Sequence, residues 1–536
     1  VPGGFSVAGW TRAANPARRI PILTTGRRSR FLPAASEYRN YEGGAVYTRT
    51  FRYHPADSAG KERVFLKVGA ANYESFLFLN GKCIGFHRGG STPFFLELTE
   101  ELGADNRLSI FINNRREKEQ VPTDNTDWFN YGGLYRSVEL IRVPGVFIRR
   151  FSAALVPGSN YSRIRVAVDV DGQGPTEARV KIPALGIEIS IPVSAGSGSV
   201  EFDAKPMLWS PESPTLYEVE FSLSGGDSVT DRIGFREVSA TETGVLINGK
   251  PVYLKGVSCH EDSLANGKAV TREEIHTMFD VAEELGCNFV RLAHYPHSGE
   301  AARIADERGF LLWEEIPVYW AIAFANRKTH ADAENQLSEL ILRDRNRASV
   351  ILWSVGNENP DSDERLEFMS SLAAHARKLD GTRLVTAACL WNRELNRIED
   401  RLADHLDVIG INEYFGWYEG NFDDLAAFFA HSKPGKPVIV SEFGAGARTG
   451  NHGTAEDLFT EENQRQVYEH QIKAIGSAPY VAGLTPWILF DFRSPRRLNR
   501  LQNGFNLKGL VDADTKRKKL AFYTLRSYYA SSGRMG

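Results

Sequence analysis

The sequence predicts a multidomain chain: a β jelly-roll or similar sandwich, an immunoglobulin-like β-sandwich, then a C-terminal (β/α)8 TIM barrel. Three observations carry this reading. At 536 residues the chain exceeds one ordinary domain. Its first 240 or so positions hold short β-branched and aromatic runs separated by turn residues. Beyond Thr241, apolar strand-like runs alternate with amphipathic helical stretches.

The first domain, residues 1–146, rests on segments such as AVYTRTFRY, RVFLKVGA, ESFLFLNGK and RLSIFINN. Asn80-Gly81-Lys82 between two such runs predicts a hairpin, because Asn and Gly tolerate the positive φ of a tight turn. Residues 147–240 alternate apolar and polar side chains in RIRVAVDVDG, EARVKIPAL and LYEVEFSLSGG, at the spacing and size of an immunoglobulin-like domain. The prolines of LWSPESPTLY mark a connection or edge, since proline cannot donate to a central ladder.

Residues 241–536 offer eight strand candidates: VYLKGVSCHED, NFVRLAHYP, GFLLWEEIP, SVILWSVGNEN, RLVTAACLW, VIGINEYFGWY, PVIVSEFGAG and AGLTPWILFDF. Each is followed by a candidate helix, the grammar of a TIM barrel. A doubly wound open sheet is disfavoured, as GVSCHED lacks the GxGxxG turn.

Composition narrows the function. A net charge of −3 gives no overall field to attract nucleic acid or an anionic membrane, so neither is expected as a partner. No run of eighteen apolar residues is present, and VPGGFSVAGW lacks the features of a signal peptide. A soluble protein is expected, cytoplasmic or exported with a signal already removed. Cys83, Cys259, Cys287 and Cys389 are scattered without ligand spacing, predicting buried free thiols. No metal and no cofactor are expected, and no HExxH spacing supports a metal-dependent hydrolase.

In such a barrel the active site lies at the C-terminal strand ends. Acids, histidines and tryptophans gather there: His260, Glu261 and Asp262; His294; Glu314 and Glu315; Asn357 and Glu358; Asn412, Glu413 and Tyr414; Glu442; Trp487 and Asp491. A lone carboxylate in such a place often only holds a loop, and that reading applies to Glu261, Asp262, Glu314, Glu413 and Asp491. His260 is read as a barrel-mouth residue without chemistry. Six of the nine tryptophans lie in the barrel, and aromatic faces at a rim suit the C–H faces of a sugar. The loop FRSPRRLNRLQNGFNLK carries Arg493, Arg496, Arg497, Arg500 and Lys508 without an acid, which suits an anionic group.

WSVGNEN (Trp353 to Asn359) and SEFGAGA (Ser441 to Ala447) resemble motifs of glycoside hydrolase family 2, which contains β-glucuronidases, β-galactosidases and β-mannosidases. NYGGLYRSVEL, GFRE, INGKPVYLKGVSCHED and RLAHYPHS extend the resemblance over nearly the whole chain. It implies a retaining exo-β-glycosidase with Glu358 as general acid/base and Glu442 as nucleophile. Such a mechanism needs the two carboxyls about 5–5.5 Å apart on opposite sides of the sugar ring.

The resemblance further implies that Asn357 contacts the substrate 2-hydroxyl, that Tyr414 lies beside the nucleophile, and that His294 and Trp487 line the pocket. Asn506-Leu507-Lys508 matches the Asn-x-Lys pair with which β-glucuronidases grip the substrate carboxylate. Tyr418 matches the tyrosine approaching that carboxylate, and Asp127 an aspartate reaching in from the jelly roll. Two departures stand out: a long interval from Trp487 to Asn506, and Gln502 and Asn503 where an arginine precedes the pair, leaving Arg500 as the nearest substitute.

The expected substrate is thus a small-molecule or oligosaccharide β-glycoside, a β-D-glucuronide first. A β-galacturonidase or β-galactosidase is the alternative, and a phosphorylated or sulfated sugar would also satisfy the basic loop. A non-catalytic carbohydrate-binding protein is disfavoured by two glutamates standing in full motifs. The resemblance also implies a homo-oligomer.

Overall fold

A computed structural model describes residues 19–23, 41–55, 62–174, 177–224 and 226–531; VPGGFSVAGW lies outside them. Contacts divide the chain into two compact units. One comprises Val1–Arg116, Asn130–Glu237 and Ser338–Ala348. The other comprises Glu117–Phe129, Val238–Leu337 and Ser349–Gly536. The segment Glu117–Phe129, which falls in sequence within 1–146, therefore packs with the barrel.

The first unit holds two β-sandwiches. In the N-terminal one, a four-stranded antiparallel sheet runs in the order Arg19–Leu23, Val138–Val143, Arg63–Val68, Phe94–Glu97. A second runs Gly44–Arg52, Asp105–Asn113, Glu74–Leu79, Lys82–Arg88. Burial alternates along Asp105–Asn113, sending Leu108, Ile110 and Ile112 into a core shared with Leu66, Val68, Leu77 and Leu140. The hairpin at Asn80-Gly81 forms as predicted, with φ of 52° and 85°. In the other sandwich, strands such as Phe147–Leu155, Arg163–Asp171 and Tyr217–Leu223 bury Ile148, Phe151, Val166, Val219 and Phe221. Leu208 to Thr215 carries no strand, only a short turn bridged from Ser210 to Ser213.

The second unit is a closed barrel of eight parallel strands. They are β1 (Leu254–Cys259), β2 (Phe289–Leu292), β3 (Leu311–Glu315), β4 (Val350–Asn357), β5 (Leu384–Cys389), β6 (Val408–Asn412), β7 (Val438–Glu442) and β8 (Val481–Leu484). Pairing of Leu254 with Gly483 closes the ring. The helices are α1 (Arg272–Leu285), α2 (Gly299–Arg308), α3 (Arg327–Asp344), α4 (Asp363–Leu379), α5 (Phe422–His431), α6 (Glu461–Ser477) and α7 (Leu520–Ser531). Their starts are written locally: Thr271 and Glu274 form a capping box, and Ser298, Ser362 and Thr460 cap α2, α4 and α6. Trp313 on β3 and Trp353 on β4 are fully buried, and each contributes about 4–6 kcal/mol of apolar burial as an upper estimate.

Three expectations are corrected. β5 is followed by a 3-10 turn, Arg401–His405, rather than an α-helix. Asp400 fixes that turn by accepting Leu402 N at 2.8 Å and the Arg365 guanidinium at 2.6 and 2.8 Å. AGLTPWILFDF is not one long strand: β8 ends at Leu484, and the chain beyond Pro486 is irregular where it carries Trp487. Of the four free cysteines, Cys259 and Cys389 are buried but Cys83 is exposed.

Candidate active site

The floor of the barrel mouth is organised by Arg291 at the end of β2, which is fully buried over the Trp313 ring. Its Nη1 donates to Glu442 Oε1 and to the Ser441 carbonyl, each at 3.0 Å. Its Nε and Nη2 donate to Glu315 at 3.2 and 3.1 Å, and Nη2 also reaches Asn357 Oδ1 at 2.7 Å. A buried guanidinium is tolerable only with its charge matched and its donors occupied, and two carboxylates do this. Burial pushes Glu315 up, but Arg291 and His294 outweigh it and hold the carboxyl below its ordinary range.

Glu315 in turn orients its neighbours. It accepts the Trp313 indole N–H at 2.7 Å, and His294 Nδ1 lies 2.7 Å from its Oε1. With Nδ1 given to Glu315, the Nε2 edge of His294 faces Glu442 Oε1 at 3.7 Å. The imidazole stacks on Trp487, with centroids 4.6 Å apart.

Glu442 ends β7, and the Tyr414 hydroxyl donates to its Oε2 at 2.7 Å. Burial raises the Glu442 carboxyl above its ordinary value; Arg291 opposes this, while the negative charge of Glu358 adds to it. Burial and the Glu442 charge push the Tyr414 phenol well up, so it stays a donor.

Glu358 follows β4 with φ of +50°, a left-handed conformation costing about 1–3 kcal/mol for a residue with a Cβ. Its amide is held by the Ala388 carbonyl at 2.8 Å, and Trp320 Nε1 donates to its Oε2 at 2.7 Å. Trp320 is left-handed too, at +56°. Asn359 Nδ2 fastens the Trp320 carbonyl at 2.7 Å, and Trp320 N bonds the Asn357 carbonyl at 2.9 Å. Such strain persists because the surroundings over-determine it. Asn357 Oδ1 accepts from Arg291 and from Asn412 at 3.3 Å, while its buried Nδ2 has no protein partner.

Above this floor lies a rim. Asp127 Oδ1 accepts from Ser494 at 2.7 Å and Arg497 Nε at 3.2 Å. Its Oδ2 accepts from Arg497 Nη2 at 2.7 Å and Asn506 Nδ2 at 3.1 Å. Asn506 Oδ1 receives the Lys508 amide at 3.1 Å. Lys508 is 5% exposed; its Nζ donates to the Tyr418 hydroxyl at 2.7 Å and lies 4.5 and 4.3 Å from the Tyr414 and Tyr418 ring centroids. No described carboxylate lies within ion-pair distance of it. Desolvation of the Tyr418 phenol raises it, but Lys508 and Arg497 outweigh this and hold it below its usual value. Trp128, Tyr295, Tyr319, Tyr414, Trp487 and Phe492 pack with Ala293 and Ile488 in one largely aromatic cluster.

A model of the glycosyl hydrolases family 2 TIM barrel domain matches residues 238–532, more than half of the chain. The family's sugar binding domain matches 19–144, and a further family 2 model matches 147–236. The chain belongs to glycoside hydrolase family 2. The hydrolase is 28% identical over 545 residues to a β-glucuronidase of Paenibacillus borealis, covering 92% of this chain and 89% of that one. It is 29% identical over 523 residues to a β-glucuronidase of Mus musculus, covering 88% and 79%. The structure of Bifidobacterium dentium β-glucuronidase complexed with coumarin-3-O-glucuronide matches with a TM-score of 0.83 at 27% identity, covering 92% and 89%.

In this family 2 hydrolase, Glu358, Glu442, Asn357, His294, Tyr414 and Trp487 surround the floor, while Asp127, Tyr418, Asn506 and Lys508 form the rim. Arg500 joins neither: it is exposed beside the Asn499–Gln502 turn, and Arg497 bonds Asp127 instead. Sequence reasoning counted Trp320 only among the barrel tryptophans and did not see its bond to Glu358, and it missed the hub role of Arg291 and Glu315, though RLAHYP and LLWEEIP placed those two at strand ends. Other strand-end acids hold structure. Glu261 accepts Ser298 N at 2.6 Å, Asp262 pairs with Arg493, and Asp491 pairs with Lys519 at 2.8 Å. Among the described residues no cluster of three or more His, Cys, Asp or Glu side chains could hold a metal ion, and no helix is long and apolar enough to cross a membrane.

Proposed function

We propose that the protein is a retaining exo-β-D-glucuronidase acting on small-molecule or oligosaccharide β-glucuronides. The observation that carries this reading is the buried Lys508 ammonium, which has aromatic faces and a phenol about it but, among the described residues, no carboxylate at ion-pair distance. A buried charge left without a counter-ion is costly, so the site is complementary to an anionic group delivered by the substrate. Arg497 and Asn506, both bonded to Asp127, supply further donors beside it. The glucuronidase names of relatives matched over most of the chain support the same substrate.

In this reading Glu442, ionised and oriented by Tyr414 and Arg291, attacks the anomeric carbon. Glu358 gives its proton to the departing glycosidic oxygen, so the C–O bond breaks as the glycosyl-enzyme ester forms. Glu358, now ionised, takes a proton from water, which attacks the same carbon and releases Glu442. The unpartnered Asn357 Nδ2 is available to the sugar 2-hydroxyl, a bond that strengthens as charge develops at the ring.

The test compares nitrophenyl β-glucuronide, β-galacturonide and β-galactoside, with the anomer first released followed by NMR. The glucuronide should have the highest kcat/KM, by about tenfold or more, and the product should appear as the β anomer. A faster β-galactoside would defeat the uronate reading, and an α product the retaining one.

A further inference from the structure

We infer that Trp320 and Arg496 form a leaving-group subsite that takes an anionic aglycone. This deepens the glucuronidase reading and rests on it. Trp320 touches the group assigned to protonate the leaving oxygen, through Nε1 on Glu358 Oε2 at 2.7 Å. Whatever is attached to that oxygen therefore lies beside Trp320. Arg496, in the loop after β8, sets its guanidinium 5.0 Å from the Trp320 ring centroid. Strands β8 and β3 are not neighbours, so this contact reaches across part of the barrel mouth.

Among the described residues no carboxylate pairs with Arg496, unlike Arg493 and Arg497 on either side of it. In the same loop Arg493 is paired with Asp262 and Arg497 with Asp127. Arg496 instead hydrogen-bonds through Nη1 to the neutral amide oxygen of Asn125. The stack on Trp320 holds the cation in place through the ring quadrupole, without occupying its N–H donors. A guanidinium has five N–H donors in a planar fork, and those not given to Asn125 fit a carboxylate or sulfate. Lys508 serves the sugar being cleaved off; Arg496 serves the group it is cleaved from. The natural substrate then carries negative charge on both sides of the scissile bond, as at the end of an acidic oligosaccharide.

The experiment measures kcat/KM for three aryl β-glucuronides whose aglycones are 4-carboxyphenyl, 4-sulfophenyl and the neutral methyl ester of the first. Wild type is compared with Arg496→Ala, Arg496→Glu and Arg496→Lys. Comparing each substrate between enzymes cancels intrinsic leaving ability. Arg496→Ala should lower the charged-to-neutral ratio about three- to tenfold, Arg496→Glu further, and Arg496→Lys should restore part of it. High salt should shrink the wild-type ratio, since the guanidinium is exposed. A carboxylate arm affected more than the sulfonate identifies an acidic sugar, and the reverse a sulfated one. Equal loss on charged and neutral substrates in Arg496→Ala, or no loss at all, overturns the proposal. Wild type that cleaves galactosides but no glucuronide would instead defeat the glucuronidase reading. The Arg496 ratio would remain measurable on the matching galactosides.

Discussion

The floor and the rim of this pocket are built by different means. The floor residues Arg291, Glu315, Asn357 and Glu442 stand at the ends of barrel strands, all nearly inaccessible and bonded to one another through a single guanidinium. The rim comes from loops and from Glu117–Phe129, and it mixes buried Lys508 with exposed Tyr418 and Arg496. Strand ends are fixed by the register of eight paired strands, so they hold a reaction geometry well. Loops hold only what their own side-chain bonds hold, so they are free to differ in what they recognise. The proposed function thus places chemistry in the one and selection in the other.

The sharpest way to break that comparison is to remove the floor's carboxylates. Glu442→Gln should leave no detectable turnover of any β-glycoside, because no nucleophile remains. Glu358→Ala should lose about 10²–10⁴-fold on glycosides with poor leaving groups and much less on activated aryl glycosides. Azide should rescue Glu358→Ala alone, giving a β-glycosyl azide identified by NMR. Rescue of the Glu442 variant instead would exchange the two roles.

Changes at the rim should alter selection. Lys508→Ala should reduce kcat/KM on β-glucuronide about ten- to more than a hundredfold, from roughly 1.5–3 kcal/mol for a charge-assisted hydrogen bond. Neutral β-galactoside should be affected far less, and Arg500→Ala should change neither substrate. If Lys508→Ala slowed charged and neutral sugars alike, the rim would be part of the chemistry and the division would fail.

The smallest effect concerns pH. Glu442 must be ionised to attack, and burial raises its carboxyl, so activity should fall with acidification at a higher pH than for an ordinary glutamate of about 4.3. The Tyr414 hydroxyl stabilises the ionised form, so Tyr414→Phe should move the acid limb of kcat/KM upward again. A limb displaced downward would mean that another group sets it.

How much of this was legible follows the same line. The strand-end positions of Glu358 and Glu442 were legible in the sequence, and their proposed roles come from the resemblance of WSVGNEN and SEFGAGA to family 2 motifs. In WSVGNEN, a Cβ at Gly356 would come within 2.6 Å of the Asn359 and Met369 side chains and 3.0 Å of the Val318 carbonyl, so a larger residue there would require its neighbours to shift. Glu413, weighed in the sequence as a loop-holding carboxylate, holds the turn beside Tyr414. It accepts Phe415 N at 3.1 Å, is fully buried, and is pushed by burial up to about 8, which keeps it largely neutral at pH 7. Asp262 and Asp491 were drawn into the loop-holding pairs already described. A strand end presents adjacent side chains in opposite directions, and sequence alone does not say which one faces the pocket.

The sequence by itself determined the three architectures, the strand and helix alternation, the cap of nearly every major helix and the strand-end positions of the two glutamates. These depend on periodicity, turn chemistry and motifs confined to a few neighbouring residues. Only the tertiary structure decided that Arg291 gathers Glu315, Asn357 and Glu442, because those groups come from four different strands. It also decided that Arg497 rather than Arg500 bonds Asp127, some 370 residues away in the chain. Those arginines are only three positions apart, and which of them meets the aspartate depends on how the loop Arg493–Phe505 folds back, with Gly504 N on the Arg497 carbonyl at 2.7 Å. Long-range pairing of charges is settled by where the backbone carries them, and that path is set by the whole barrel.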